Sequence, residues 1–280
     1  MYYHDVKRII LTAYITTHEY EDNSNIMKVY NQIAEVYDYF IDWEERIKRE
    51  DPFFQHLFQE RLGASILDLG CGTGGHALHW SEMGYNVVGL DSARDMIEHA
   101  RLQGEQRELD IEFLCLPLTD FASHLQQQFD AVVCVGNNIP HLLDRLAVQR
   151  LFTETVKAMK ESGVAIFHVL NYSRILEFNK RDFPVRSMVV GGKEYVFIRF
   201  YEFHPEHWDF HFVVAVKEQG NWTSHSYVMK HHPWMWDELV GMAQTAGFTQ
   251  ILSYGGYDFS EFNPRESNDL LLVCELGEVE

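Results

Sequence analysis

Apolar residues Ile33, Val36, Tyr37, Phe40 and Ile47 recur at helical spacing between Gln32 and Glu50, which predicts an amphipathic helix. Pro52 then reads as the start of a second helix through Phe53, Phe54, Leu57, Phe58 and Leu62, stopped by Gly63. The run SILDLGCGTGG follows as a short apolar strand, a glycine-dense turn and a helical segment ending at Met83–Gly84. YNVVGLD, IEFLCL, FDAVVCVG and GVAIFHVL read as buried strands. Ser92 and Asp95 read as a capping box opening the helix SARDMIEHARLQ, and a further helix runs from Asp144 to Ser162, closed by Gly163. Strands alternating with helices of this length imply a parallel sheet covered on both faces.

The pattern changes after Asn171. From about Ser187 to Met229 it is β-rich and broken by GG, HPEH and QGN turns, which predicts antiparallel strands. HPWMWDELVGMAQTAGF returns to helix, with Asp237 near its first turn and Gly247 at its end, and TQILSY and DLLLVCEL supply two last strands. The predicted organisation is an N-terminal appendage over 1–26 and one α/β domain over 27–280, with a β insertion at about 180–230.

Composition narrows the function. The 280 residues carry 23 Lys and Arg against 42 Asp and Glu, a net charge of −19, so phosphate backbones and anionic lipid would repel the chain. Nucleic acid is therefore not expected as a partner. The four cysteines form no CxxC pair, no apolar run is long enough to span a bilayer, and the N-terminus lacks a small-x-small cleavage site. A cytoplasmic protein acting on small molecules is expected, as a monomer or a homo-oligomer.

The strongest chemical signal is Asp68-Leu69-Gly70-Cys71-Gly72-Thr73-Gly74-Gly75 between a strand and a helix. Glycines let the backbone turn sharply and touch a ligand, and the helix N-terminus offers free N–H groups to an anion. Asp91 ends the next strand, 21 residues after Gly70, where a carboxylate can accept two hydrogen bonds from a ribose diol. Gly70, Gly72 and Gly75 formally satisfy the dinucleotide pattern GxGxxG, whereas no Gly-Lys-Ser/Thr follows and a P-loop is excluded. Asp68 favours a different ligand: two positions before the first glycine it can meet an ammonium, which a methionine moiety carries and a pyrophosphate does not. S-adenosylmethionine is favoured over a nicotinamide dinucleotide, and a ligand-free tight turn is the third reading.

With these residues in hand, the chain resembles the class I S-adenosylmethionine-dependent methyltransferases, and within them the glycine/sarcosine N-methyltransferase group. ILDLGCGTGG matches the first motif, VVGLD the second, FDAVVCVGNNIPHLLD resembles a segment diagnostic of the group, and HVLNYSRIL resembles a later one. The resemblance implies a Rossmann-like doubly wound seven-stranded sheet with the last strand antiparallel. It implies that Gly70, Gly72 and Gly74 line the methionine tail, with Asp68 at its ammonium and Arg46 at its carboxylate. Asp91 would hold the ribose, Met96 would pack near the adenine, and Leu116 and Pro117 would occupy the adenine-facing turn. Gly136 and Asn137 would lie beside the transferring methyl, with His141 on the next turn. Leu170, Asn171 and Tyr172 would face the acceptor. Leu170 stands where the glycine-methylating enzymes have an Arg, and a leucine cannot form a bidentate pair with an anion. That departure predicts an acceptor with an apolar or neutral body.

Methyl transfer from a sulfonium is an in-line displacement helped by desolvation and alignment. An amine acceptor need only arrive unprotonated, which favours N-methylation; a hydroxyl would need a base, and His141 is the one histidine that the sequence places nearby. O-methylation of a small molecule, a nicotinamide-linked oxidoreductase and a non-catalytic binding module are the alternatives. Tyr30 and Tyr37 share a helix face and are candidate pocket residues or plain core aromatics. The insertion holds ten aromatics between Tyr195 and Tyr227, where the chain average of 14% would give about five; they read as a lid over the site or as a β layer packed on the sheet or a second subunit. HPEH lacks the spacing of a helical zinc pair and lies at Pro205, so it reads as a turn and no metal is expected.

Overall fold

The computed structural model describes residues 26–59 and 64–277; most of the expected appendage, and Gly63, lie outside the described residues. Two helices, α1 (Ile26–Phe40) and α2 (Trp43–Gln59), precede an alternating series: β1 (Ser65–Leu69), α3 (Gly75–Glu82), β2 (Asn86–Asp91), α4 (Arg94–Gln106), β3 (Glu112–Cys115), β4 (Phe129–Cys134), α5 (Arg145–Ala158) and β5 (Met159–Leu170). After α6 (Tyr172–Glu177) come β6 (Arg186–Val190), β7 (Lys193–Phe203), β8 (Trp208–Glu218) and β9 (Asn221–His231), then α7 (Trp236–Ala246), β10 (Gln250–Tyr254) and β11 (Asp269–Glu275).

The main sheet has the order β10-β11-β5-β4-β1-β2-β3, parallel except that β11 runs antiparallel to both its neighbours. This is the expected seven-stranded sheet. The chain leaves β1 toward β2 on one side while β4 pairs on the other, so a crevice opens at the carboxyl ends of β1 and β4. One face is covered by α2, α3 and α4 through Phe53, Phe54, Phe58, Trp80 and Ile97. The other is covered by α5 and α7 through Val148, Leu151, Phe152, Leu239 and Met242. Full burial of each such phenylalanine contributes about 1.5–3 kcal/mol, which fixes α2 against the sheet.

Strands β6 to β9 form a separate antiparallel sheet, as the alternation after Asn171 predicts. Its register puts Tyr195, Phe197, Arg199 and Tyr201 of β7 on one face with Phe210, Phe212 and Val214 of β8. That face packs on α1, where the Phe40 ring lies 5.6 Å from Phe197 and 5.3 Å from Phe212. The opposite face carries Val196, Ile198, Val213 and Ala215.

Three local expectations are corrected. The helix expected over 32–50 is two helices, because Asp42 caps the second: its carbonyl accepts the Arg46 N–H at 2.9 Å and its side chain the Glu45 N–H at 3.2 Å. Pro52 consequently lies inside α2 rather than at its start. The Ser92–Asp95 capping box is absent; α4 begins at Arg94, and the Asp95 N–H donates instead to Asn31 Oδ1 of α1 at 3.0 Å. Finally, α5 ends at Ala158, and Gly163 belongs to β5, where a Cβ would come within 3.1 Å of the Phe129 carbonyl oxygen.

Candidate active site

The turn after β1 is locked by the Gly70 and Cys71 N–H groups, which donate to the Leu90 carbonyl at 2.8 and 3.0 Å. Its glycines divide the work. Gly70 faces the Asn138 amide and Gly74 packs on Ala100 and Phe113, so both give close packing; at Gly72 the nearest atom to a would-be Cβ is Tyr37 Cε1, at 3.7 Å. Gly72 N–H donates to Asp91 Oδ2 at 3.0 Å and Ala93 N–H to Oδ1 at 2.8 Å, aiming that carboxylate while leaving each oxygen further lone pairs. Met96 is buried among α1 side chains. Leu116 is half-buried and its N–H bonds the Asp91 carbonyl at 3.0 Å, whereas Pro117 is exposed.

Asp68 is 2% exposed, and its Oδ2 has no hydrogen-bond partner among the described residues. Burial pushes its carboxyl up to about 7, against the pull of Arg46 and an N–H of Ala77. Arg46 donates through Nε to Glu50 at 3.1 Å, while its Nη2 lies 3.4 Å from where a Cβ on Gly136 would stand. A side chain at Gly136 would meet the guanidinium fork, whose two Nη groups have no hydrogen bond among the described residues. Glu50 is buried, which raises its carboxyl, but His76, Arg46 and Arg49 outweigh burial and hold it down at about 2. An orphaned buried carboxylate, a guanidinium fork and a side-chain-free turn are the donor set that a zwitterionic amino-acid tail requires, and the second carboxylate at Asp91 suits a diol. The residues present fit S-adenosylmethionine.

A cavity of about 870 Å³ adjoins them, between α1, the end of β5, the small sheet and the loop joining β10 to β11. Tyr30, Tyr37, Arg46, Gly136, Asn137, His141 and Leu170 line it. The glycine turn, Asp68, Asp91, Met96, Leu116 and Pro117 stand outside this lining, and so do two of the residues expected to face the acceptor. Asn171 is 2% exposed and holds the β10–β11 loop, its Nδ2 donating to the Ser267 carbonyl at 2.9 Å and the Pro264 carbonyl at 3.0 Å. Tyr172 is buried behind Asn137, whose Oδ1 accepts the Tyr172 hydroxyl at 3.2 Å and the Leu170 N–H at 3.0 Å. Both residues shape the pocket from outside it.

His141 is not the lone histidine here. His231 lies 4.3 Å away ring to ring, with Tyr201 at hydrogen-bond distance from its Nδ1, and His168 Nδ1 accepts the Gly136 N–H at 3.3 Å. His141 Nε2 is 2.9 Å from the Tyr30 hydroxyl. Burial alone pushes the His141 imidazole down to about 3, so it stays neutral at physiological pH and is a weak base. Because the unfolded chain would take up a proton near 6.5 and the folded chain not until about 3, stability is full above 6.5 and falls with pH below it. From pH 7 to 5 this costs about 2 kcal/mol. His141→Gln should narrow the difference between melting temperatures at those two pH values; an unchanged difference would show that the folded protein protonates His141 freely.

Sequence reasoning also missed Arg186 and Arg199, which line the cavity from the small sheet. Period-two alternation with Phe197 and Tyr201 was the available signal for Arg199. Its guanidinium lies 4.5 Å from the Phe40 ring and 4.8 Å from that of Phe183. Its buried Nε has no hydrogen-bond partner, and no carboxylate pairs with it among the described residues. Burial and the neighbouring Arg186 pull its pKa down to about 10, which leaves it cationic. Asp258, Glu261, Glu266 and Asp269 of the β10–β11 segment line the same cavity.

Comparison with known proteins agrees with this geometry. Residues 66–163 match a methyltransferase domain model. A glycine/sarcosine N-methyltransferase of Parasynechococcus marenigrum is 28% identical over 231 residues, covering 81% of this chain and 78% of that one. The protein of the same name from Halorhodospira halochloris is 30% identical over 141 residues, 50% and 53% of the two chains. A ubiquinone biosynthesis O-methyltransferase of Proteus mirabilis is 26% identical over 154 residues, 54% and 58%. In fold, the chain is similar to an S-adenosylmethionine-dependent methyltransferase from Clostridium acetobutylicum, with a TM-score of 0.71 at 16% identity over 89% of this chain and all of the other. No helix among the described residues is long and apolar enough to cross a membrane. With one antiparallel strand inside the sheet, an acidic pair and a guanidinium at the glycine turn, and relatives of this kind, the chain carries a methyltransferase domain and is similar in sequence and fold to the class I S-adenosylmethionine-dependent methyltransferases.

Proposed function

We propose that the enzyme methylates the nitrogen of a small amine that also carries an anionic group. The observation that carries this reading is Arg199, a desolvated cation at the cavity wall with no carboxylate paired to it among the described residues. A buried unpaired charge is costly, and an acceptor that brings a carboxylate or phosphate relieves that cost. Leu170 removes one means of gripping an anion, and Arg199 with Arg186 supplies another from the small sheet. The acidic lining at Asp258 and Glu261 suits the positive end of the same molecule. The names of the two glycine/sarcosine enzymes agree with such an acceptor.

Bound S-adenosylmethionine supplies an electrophilic methyl group on a sulfonium. Arg46 and Asp68 would hold its amino-acid tail and Asp91 its ribose hydroxyls. Asn137, fixed by Leu170 and Tyr172, borders the reacting region with one amide N–H to spare. Tyr30 and Tyr37, both kept protonated by burial, close the pocket from α1 and exclude water. His141, its imidazole pushed down to about 3 by burial, is too weak to activate a hydroxyl, whereas an amine loses its proton to solvent before it enters.

The test is a mass-spectrometric screen with isotopically labelled S-adenosylmethionine against amines, phenols and aliphatic hydroxyls, each with and without an acidic group. Label on the nitrogen of acidic amines is the expected result. Label on hydroxyls alone, or on neutral amines as readily as acidic ones, would overturn the proposal.

A further inference from the structure

We propose that the turn joining β7 to β8 binds one divalent transition-metal ion of the zinc type through His204, His207 and Asp209. The pairing register places Glu202 opposite Asp209 and Phe200 opposite His211, so Glu202, Asp209 and His211 share the face of the small sheet turned away from α1. The turn closes with the His204 N–H on the His207 carbonyl at 3.0 Å, which brings both imidazoles over the same spot. Their Nε2 atoms each stand 3.2 Å from an Asp209 carboxylate oxygen, His204 at Oδ2 and His207 at Oδ1. One ligand atom from each of the three residues lies within 4.8 Å of the other two.

Two features separate this from an ordinary imidazole–carboxylate pair. Asp209 is 6% exposed, and its Oδ1 makes no hydrogen bond among the described residues even though an imidazole nitrogen lies 3.2 Å away. An oxygen and a nitrogen that close without an aligned proton are placed as two ligands of a shared cation are. Zinc–ligand bonds of about 2.0–2.1 Å in a tetrahedron separate neighbouring ligand atoms by roughly 3.3 Å, close to the 3.2 Å of each imidazole–carboxylate contact, and closing the set from within 4.8 Å takes side-chain rotation alone. Two imidazoles and a carboxylate select zinc, cobalt or nickel over magnesium and calcium, which prefer oxygen alone. Glu202, whose carboxylate is 3.9 Å from His204 Nε2 and 3.6 Å from His211 Nε2, stands where it can complete the shell or orient it.

The spacing of HPEH argues against a helical zinc pair, and rightly. The third ligand comes from the returning strand, two residues beyond His207, which only the hairpin register reveals. The ion would face away from the methyl-transfer crevice, so its part is structural. Between the ligands, Trp208 points inward and packs 5.4 Å from both Tyr172 and Tyr201, which buttress Asn137 and His231. A metal at the turn would hold that end of the small sheet against the site.

The experiment uses the untagged full chain, stripped with a chelator and titrated with Zn²⁺ by calorimetry, with Co²⁺ absorption as the spectroscopic check and Mg²⁺ as control. One equivalent of Zn²⁺ per chain, a tetrahedral Co²⁺ spectrum and a rise in melting temperature are expected, with no response to Mg²⁺. His204→Gln/His207→Gln alters two partly exposed residues, and circular dichroism verifies its fold; affinity should fall at least about tenfold. No binding by the wild-type chain, equal binding by the folded double variant, or an equal response to Mg²⁺ would overturn the site.

Discussion

Asp68→Asn is expected to raise the melting temperature of the ligand-free protein at pH 8 while weakening its hold on the cofactor. Folding lifts the Asp68 carboxyl from its ordinary 3.8 to about 7. A pKa raised by folding means that stability is full below 3.8 and is lost as pH climbs through 7. At pH 8 the ionised, half-partnered carboxylate therefore costs on the order of 4 kcal/mol, and the asparagine carries no such cost. The gain should shrink toward pH 4. In the complex the same carboxylate meets an ammonium, so its removal should cost about 2–4 kcal/mol, roughly thirty- to a thousandfold in Kd. The wild-type affinity for S-adenosylhomocysteine should fall about tenfold per pH unit below 7, as a proton must first leave Asp68, and the variant's affinity should be flat. Calorimetry across pH 5.5–8.5 measures both. Parallel pH curves for the two proteins would remove Asp68 from the ammonium site.

Arg199→Leu should separate acceptor recognition from cofactor binding. If Arg199 pairs with the acceptor's anion inside the cavity, its loss should lower kcat/KM for an acidic amine by about 2–4 kcal/mol, again thirty- to a thousandfold. A neutral amine should lose little, and S-adenosylhomocysteine affinity should not change. Stability should hold or improve, because a desolvated cation between Phe40 and Phe183 is replaced by an apolar side chain. An equal fall for acidic and neutral amines would mean that Arg199 only packs the wall.

Much of the molecule was legible before any coordinates. The strands of the main sheet are continuous apolar runs, and the small sheet announces itself by alternation, because burial on two faces or one imposes those periods. The glycine turn and Asp91 were legible because their chemistry is local to a strand end. What escaped were long-range partners. Ser92 and Asp95 satisfy a capping pattern, but Asn31 lies across α4's first turn and takes the N–H. Asp42 was a legible cap, hidden by apolar positions that keep phase on both sides of it. Asn171 sits beside pocket residues in sequence, yet three carbonyls of a loop some 90 residues later hold its amide. Leu170 alone favours a neutral acceptor, and nothing in the order of the chain places Arg199 at the same cavity.

The Asn31 contact ties entry to the crevice to the integrity of a neighbouring element. Moving α1 aside would bare the first turn of α4, separate Tyr30 from His141, and lift Phe40 off the small sheet at the same moment. A rigid displacement of α1 gives up all three together, so α1 is held as a latch with three catches. Traffic of nucleoside and amine past α1 then requires release of all three together.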